Sequence, residues 1–201
     1  TARVEAAWFE TDTYDHAPAL AGPYALPAPV VRFPLHAPRP GEAETTLPLA
    51  PRGKWWLAST PRRLGGQEVL FAFAPQFATT VASAAAGAAI VRELGGAFTG
   101  TTGTVEITHH VRRPVRTATL ARPLLLGPLR IDTLLVRTGD YGTASSIAEA
   151  DASETADDIV VKDKRASKPT YVVYVGADAL GGCSAITFDK PAHRLTLTCR
   201  S

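Results

Sequence analysis

The sequence predicts a mostly β domain of barrel or sandwich kind. Short apolar runs separated by turn residues recur from Thr45 to the end of the chain, as closely packed strands require. Only one stretch has a sustained helical character with caps at both ends. A hydrophobic content of 45% in 201 residues supplies a single packed core with an appendage rather than two domains.

The elements follow in chain order. Residues 1–45 carry prolines at 18, 23, 27, 29, 34, 38 and 40 among Trp8, Phe9, Tyr14, Tyr24 and Phe33, with no period. Proline withholds a ladder donor, so this segment reads as an extended arm that lies along the domain or a partner. The domain proper then runs over 46–201. Thr46–Leu49, Lys54–Ala58 and Val69–Phe73 are strand candidates. The run from Ser83 to Leu94 reads as a helix, capped by Ser83 and ended by Gly95-Gly96. Further strands are expected at Thr104–Thr108, Val115–Leu120, Leu129–Val136 and Tyr171–Val175. A final hairpin turns at Asp189-Lys190-Pro191-Ala192 and brings Cys183 near Cys199, where a disulfide or two buried thiols would serve. A bridge points to an oxidising compartment. Residues 140–164 hold seven carboxylates among small residues, an exposed acidic loop without the spacing of a calcium loop. No repeat of fixed period is present.

Charge excludes some functions. The net charge of +2 is far from the basic excess that phosphate binding requires, so nucleic acid is not an expected partner. No apolar run reaches the length of a membrane span. The chain begins at Thr1 and contains no Met, which points to a start removed from a longer precursor, and with it to a periplasmic or secreted protein.

Four features in fixed order resemble the retropepsin-like family of single-lobe bacterial aspartic proteases. They are Leu70–Val81 with the following helix to Leu94-Gly95; the Gly- and Thr-rich stretch 95–103; Leu125–Asp132; and Tyr174-Val175-Gly176-Ala177-Asp178-Ala179-Leu180 with Ile186–Asp189 and Arg194–Leu197. The resemblance covers roughly residues 46–199 and implies an acid-protease barrel with one or two short helices and the extended N-terminal arm. It implies a substrate groove lined by Phe73, Ala74, Gln76 and Phe77, closed by a flap whose approach holds Phe98, Thr99 and Thr101. Relatives of this kind pair across a two-fold axis, which implies a homodimer.

The family's Asp-Thr-Gly stands here as Ala74, Pro75 and Gln76. Aspartic proteolysis needs two carboxyl groups about 3 Å apart that share one proton. Alanine holds no proton, proline removes a backbone donor, and glutamine adds bulk beneath the dyad. The segment Leu134–Gly139 has the shape of the motif with Arg137 in the acid position, and reads as a chance likeness of a strand followed by a turn.

Other chemistry has weaker signals. No nucleophile elbow is present. His109-His110 on a strand would face opposite ways, which is poor for joint chelation, and the two cysteines lack zinc spacing, so no metal and no cofactor are expected. Arg112, Arg113, Arg116, Arg122 and Arg130 make the middle of the chain basic, and Trp55-Trp56 precede the degenerate motif. Both read first as ordinary solvated or core residues.

The function expected from these residues is a catalytically inactive, pseudo-aspartic-protease domain that binds a peptide or protein partner. The alternatives are an aspartic-type endopeptidase that uses another carboxylate such as Asp132 or Asp178, an enzyme silenced by engineering at Ala74, and a structural component of a cell-envelope assembly docked through its arm.

Overall fold

The structure is a computed structural model that describes residues 22–51, 58–108, 111–139 and 169–200, with the backbone alone at 99–102, 108 and 111. It is mostly β. A four-stranded sheet has the order β1-β10-β11-β2, and a seven-stranded sheet the order β3-β4-β9-β5-β8-β7-β6. The ranges are β1 Val30–Pro34, β2 Glu42–Pro48, β3 Ser59–Leu64, β4 Gln67–Phe73, β5 Val81–Ala82, β6 Gly96–Thr108, β7 Val111–Leu126, β8 Leu129–Arg137, β9 Val172–Val175, β10 Cys183–Asp189 and β11 Arg194–Arg200; the helices are α1 Ala84–Leu94 and α2 Ala177–Leu180. Among the described residues these strands pair as two open sheets rather than as one closed barrel.

Both sheets bury one face in a single core. Leu195, Leu197 and Cys199 alternate inward on β11, and they join Ile131, Leu134 and Val136 of β8 and Phe71 of β4 in one apolar cluster. Helix α1 lays Ala86 and Ile90 on that cluster. Its cap is the expected one: the Ser83 hydroxyl accepts from the Ala86 N–H at 3.2 Å, and Gly95 ends the helix at a positive φ of 72° while its N–H reaches the Val91 carbonyl. A two-glycine turn, Gly65 and Gly66 at φ 56° and 78°, joins β3 to β4. Only glycine takes both angles freely, and a Cβ at Gly65 would stand 2.7 Å from the Ala89 carbonyl oxygen of α1.

The proline-rich segment departs from the expectation of an arm without ladder bonds. Val30–Pro34 pairs antiparallel with β10, and Glu42–Pro48 with β11, so both join the four-stranded sheet. The physical reason is that both are edge strands, where a missing N–H can face away from the sheet. Pro61 sits on β3, also an edge, and Pro123 falls at the irregularity between Thr119 and Leu124 where β7 skips register against β8. Residues 1–21, Trp55-Trp56, His109-His110 and the acidic loop 140–164 lie outside the described residues, and no helix of the described residues is long and apolar enough to cross a membrane.

Cys183 and Cys199 stand directly opposite in the β10–β11 ladder, with their sulfurs at 2.02 Å, disulfide distance. The register set by the turn would place Ser184 opposite Cys199, and the one-residue shift between Cys183 and Ala185 brings Cys183 there instead.

Candidate functional site

The degenerate motif forms a tight turn at the end of β4. The Ala74 N–H donates to the Val175 carbonyl of β9 at 2.9 Å, and the Ala74 carbonyl accepts from the Phe77 N–H at 3.0 Å. Ala74 and Phe77 are buried, whereas Pro75 and Gln76 are exposed at the tip. The Phe77 ring lies 5.6 Å from that of Tyr174, tilted by 59°, and anchors the turn against β9.

A second motif locks this turn from below. Gly176 to Asp178, some 98 residues further on, brings its backbone under residues 77–80. The Ala177 N–H donates to the Phe77 carbonyl at 2.8 Å and the Asp178 N–H to the Ala78 carbonyl at 3.1 Å. The Asp178 carboxylate accepts from the Thr80 N–H at 2.9 Å, from the Thr80 hydroxyl at 2.8 Å, and from the Ala179 N–H at the start of α2. The Thr80 hydroxyl in turn accepts from the Gly176 N–H at 3.1 Å. A Cβ on Gly176 would stand 2.6 Å from the Thr79 carbonyl carbon, so the close approach requires glycine.

Strand pairing explains the geometry. β9 runs between β4 and β5, parallel to the first and antiparallel to the second, while β8 runs parallel to β5 on the other side. The order β3-β4-β9-β5-β8-β7 reads the same when β3, β4 and β5 are exchanged with β7, β8 and β9. This exchange places Val81 on Tyr174, which pair with each other, and Ala72 on Leu135, which pair with Tyr174 and Val81 respectively. Two residues further on, Ala74 falls on Arg137 and Pro75 on Thr138.

The pairing thus gives Leu134–Gly139, read from sequence as a chance likeness to the motif, the same place in the strand order as the segment ending at Ala74. Arg137 is 9% exposed and Thr138 1%, and the Thr138 N–H donates to the Pro114 carbonyl at 3.0 Å. Sequence spacing carried this signal, since both segments are apolar strands running into a turn; what it lacked was the partner strand that relates them.

The other expected site residues are dispersed. Phe73 is half-buried at the end of β4, beside the turn. Phe98 is half-buried on β6, and its carbonyl accepts from Arg116 Nη2 at 3.2 Å. β6 stands at the opposite end of the sheet order from β3 and β4, so the strand pairings do not themselves join Phe98 to the Ala74 turn. The side chains of Thr99 and Thr101 lie outside the described residues. The antiparallel pair β6–β7 is longer than the Gly- and Thr-rich approach expected from sequence.

Both alternative carboxylates make hydrogen bonds within the chain. Asp178 is held by Thr80 and Ala179 as described. Asp132 lies exposed on β8 in a two-pronged pair with Arg130, at 2.9 and 2.8 Å. Among the described residues no three metal-ligating side chains converge. Comparison with known proteins gives no match to a family model, a curated protein or a solved structure.

Proposed function

We propose that the chain is a non-catalytic, retropepsin-like module that binds an extended peptide segment or a partner protein in a groove over Ala74. One observation carries the reading: the turn after β4 is built and locked as a site would be, yet the buried residue at its start is an alanine. Two of the four features on which the family resemblance rests, Leu70–Val81 and Tyr174–Leu180, meet through Thr80 and Asp178, which supports one inherited unit. The barrel form and the homodimer belong to this same reading.

An alanine side chain neither stores nor delivers a proton, so the groove lacks the acid that the hydrolytic mechanism needs. What remains is recognition. An extended ligand laid along strand edges gains main-chain hydrogen bonds, while the half-buried Phe73 beside the turn contributes to selectivity. The Cys183–Cys199 pair fits an extracytoplasmic setting, periplasmic or secreted.

The test is peptide binding followed by calorimetry. Unstructured peptides are expected to bind, and N-methylation of alternate backbone amides is expected to weaken them strongly, as is Phe73→Ala. Affinity that is indifferent to N-methylation would argue against strand addition.

A further inference from the structure

We propose that the Cys183–Cys199 disulfide is a redox-sensitive lock on the register of β10, and that reducing it releases the connection between β1 and β2. This inference rests on the β10–β11 ladder and not on the groove over Ala74, so either can fail alone.

The end of this hairpin has two registers open to it. From Asp189 opposite Arg194 to Ala185 opposite Thr198 the pairing is regular, and its continuation sets Ser184 opposite Cys199. The alternation that turns Ile186 and Phe188 inward would then turn Ser184 inward and Cys183 outward, leaving the two sulfurs on opposite faces of the sheet. No cross-link can form in that register. The observed pairing instead sets Cys183 opposite Cys199, with Ser184 as an extra residue, and the shift persists to the Arg200 N–H, which donates to the Gly182 carbonyl at 2.8 Å. The disulfide therefore requires the bulge.

The extra residue is also a fastening point. Ser184 is 1% exposed; its hydroxyl donates to Glu42 Oε2 at 2.6 Å, and its carbonyl accepts from the Leu35 N–H at 2.8 Å and from the His36 N–H at 3.5 Å. One residue thus ties the chain leaving β1 to the start of β2. The fastening is imperfect, because Glu42 Oε1 and His36 Nε2 stay buried without a hydrogen-bond partner among the described residues. Buried acceptors left unmet oppose the locked form, as does the ladder position that the bulge leaves unpaired. Gly181 and Gly182, exposed between α2 and β10, supply the slack for a slip of one residue.

The opening step is exchange with a dithiol reductant, entering where the final pair of Gly182 and Arg200 frays. A reductant thiolate attacks one sulfur, the Sγ–Sγ bond breaks and a mixed disulfide forms; the second reductant thiolate then displaces the remaining cysteine. Two electrons and two protons pass to Cys183 and Cys199, and the reductant leaves as its own disulfide. β10 slips, Ser184 turns toward Cys199, and Leu35, His36 and Glu42 lose their hold.

Amide hydrogen exchange and cross-strand contacts, read by NMR on the oxidised and the dithiothreitol-reduced chain, test this. Reduction is expected to speed exchange of the Leu35 amide by about tenfold or more, to leave α1 and β8 protected, and to replace the contact of Cys183 with Cys199 by one of Ser184 with Cys199. Deleting Ser184 puts Cys183 opposite Cys199 in the regular register, so the disulfide still forms, and Leu35 is expected to exchange fast in both redox states. Leu35 protection unchanged by reduction of the intact chain would overturn the proposal. Loss of protection throughout α1 and β8 together with Leu35 would do the same, since the disulfide would then act on global stability alone. A redox response of Leu35 that survives deletion of Ser184 would also overturn it.

Discussion

Thr80 and Asp178 hold the junction on which the candidate site stands. Thr80 is fully buried, and both of its donors end on the Asp178 carboxylate. Asp178→Ala strands those donors, and the expected loss is about 2 kcal/mol of unfolding free energy by denaturant titration. Asp178→Asn keeps an acceptor oxygen and is expected to lose less; equal losses would show that packing, not hydrogen bonding, sets the cost. Gly176→Ala is expected to be worse than either, since its Cβ meets backbone that cannot rotate away. The residue types at these positions were legible from the Gly-x-Asp-x-Leu pattern. Their mutual bonding was not, because no local rule links residues nearly a hundred positions apart. Ala74, by contrast, gives its message at once: a methyl group has no acid–base chemistry in any setting.

The hairpin β10–β11 gathers two separable effects. Replacing Cys183 and Cys199 together by serine opens a cross-link spanning 16 residues, and about 3 kcal/mol of stability is expected to be lost. At the other end of the hairpin, the Arg194 guanidinium hydrogen-bonded to Asp189 holds that carboxyl below its ordinary value, helped by the Ala192 N–H. The folded form thus binds its proton less readily than the unfolded chain. Its contribution is complete above the ordinary carboxylate range and is lost as pH falls through that range to the lower folded value. Asp189→Asn is expected to flatten this small acid limb in denaturation curves taken between neutral and strongly acid pH, and an unchanged slope would contradict it. Turn chemistry made this hairpin readable in advance, as capping residues did for α1. The strands Val30–Pro34 and Ser59–Leu64 were obscured by Pro34, Pro61 and the charged pair Arg62-Arg63, residues that a sheet tolerates at its edge but that local pattern reads as a break.

At the scale of the molecule, the strand order reads the same when β3, β4 and β5 are exchanged with β7, β8 and β9, which sets Arg137 where Ala74 stands, and neither position holds a carboxyl group. Alternation of apolar residues predicted the mostly β class, but the division into two sheets and the order of strands depend on pairings between distant segments that composition does not encode. On the proposed reading, in which two copies of the chain each contribute one motif, the combined change Ala74→Asp, Pro75→Thr and Gln76→Gly is expected to yield acid-pH proteolysis where each single change does not. The most direct test leaves the chain unaltered: incubation with an unfolded protein across acidic pH, with fragments read by mass spectrometry and a pepstatin-like inhibitor as control. The account predicts an intact substrate at every pH; inhibitor-sensitive fragments would contradict it.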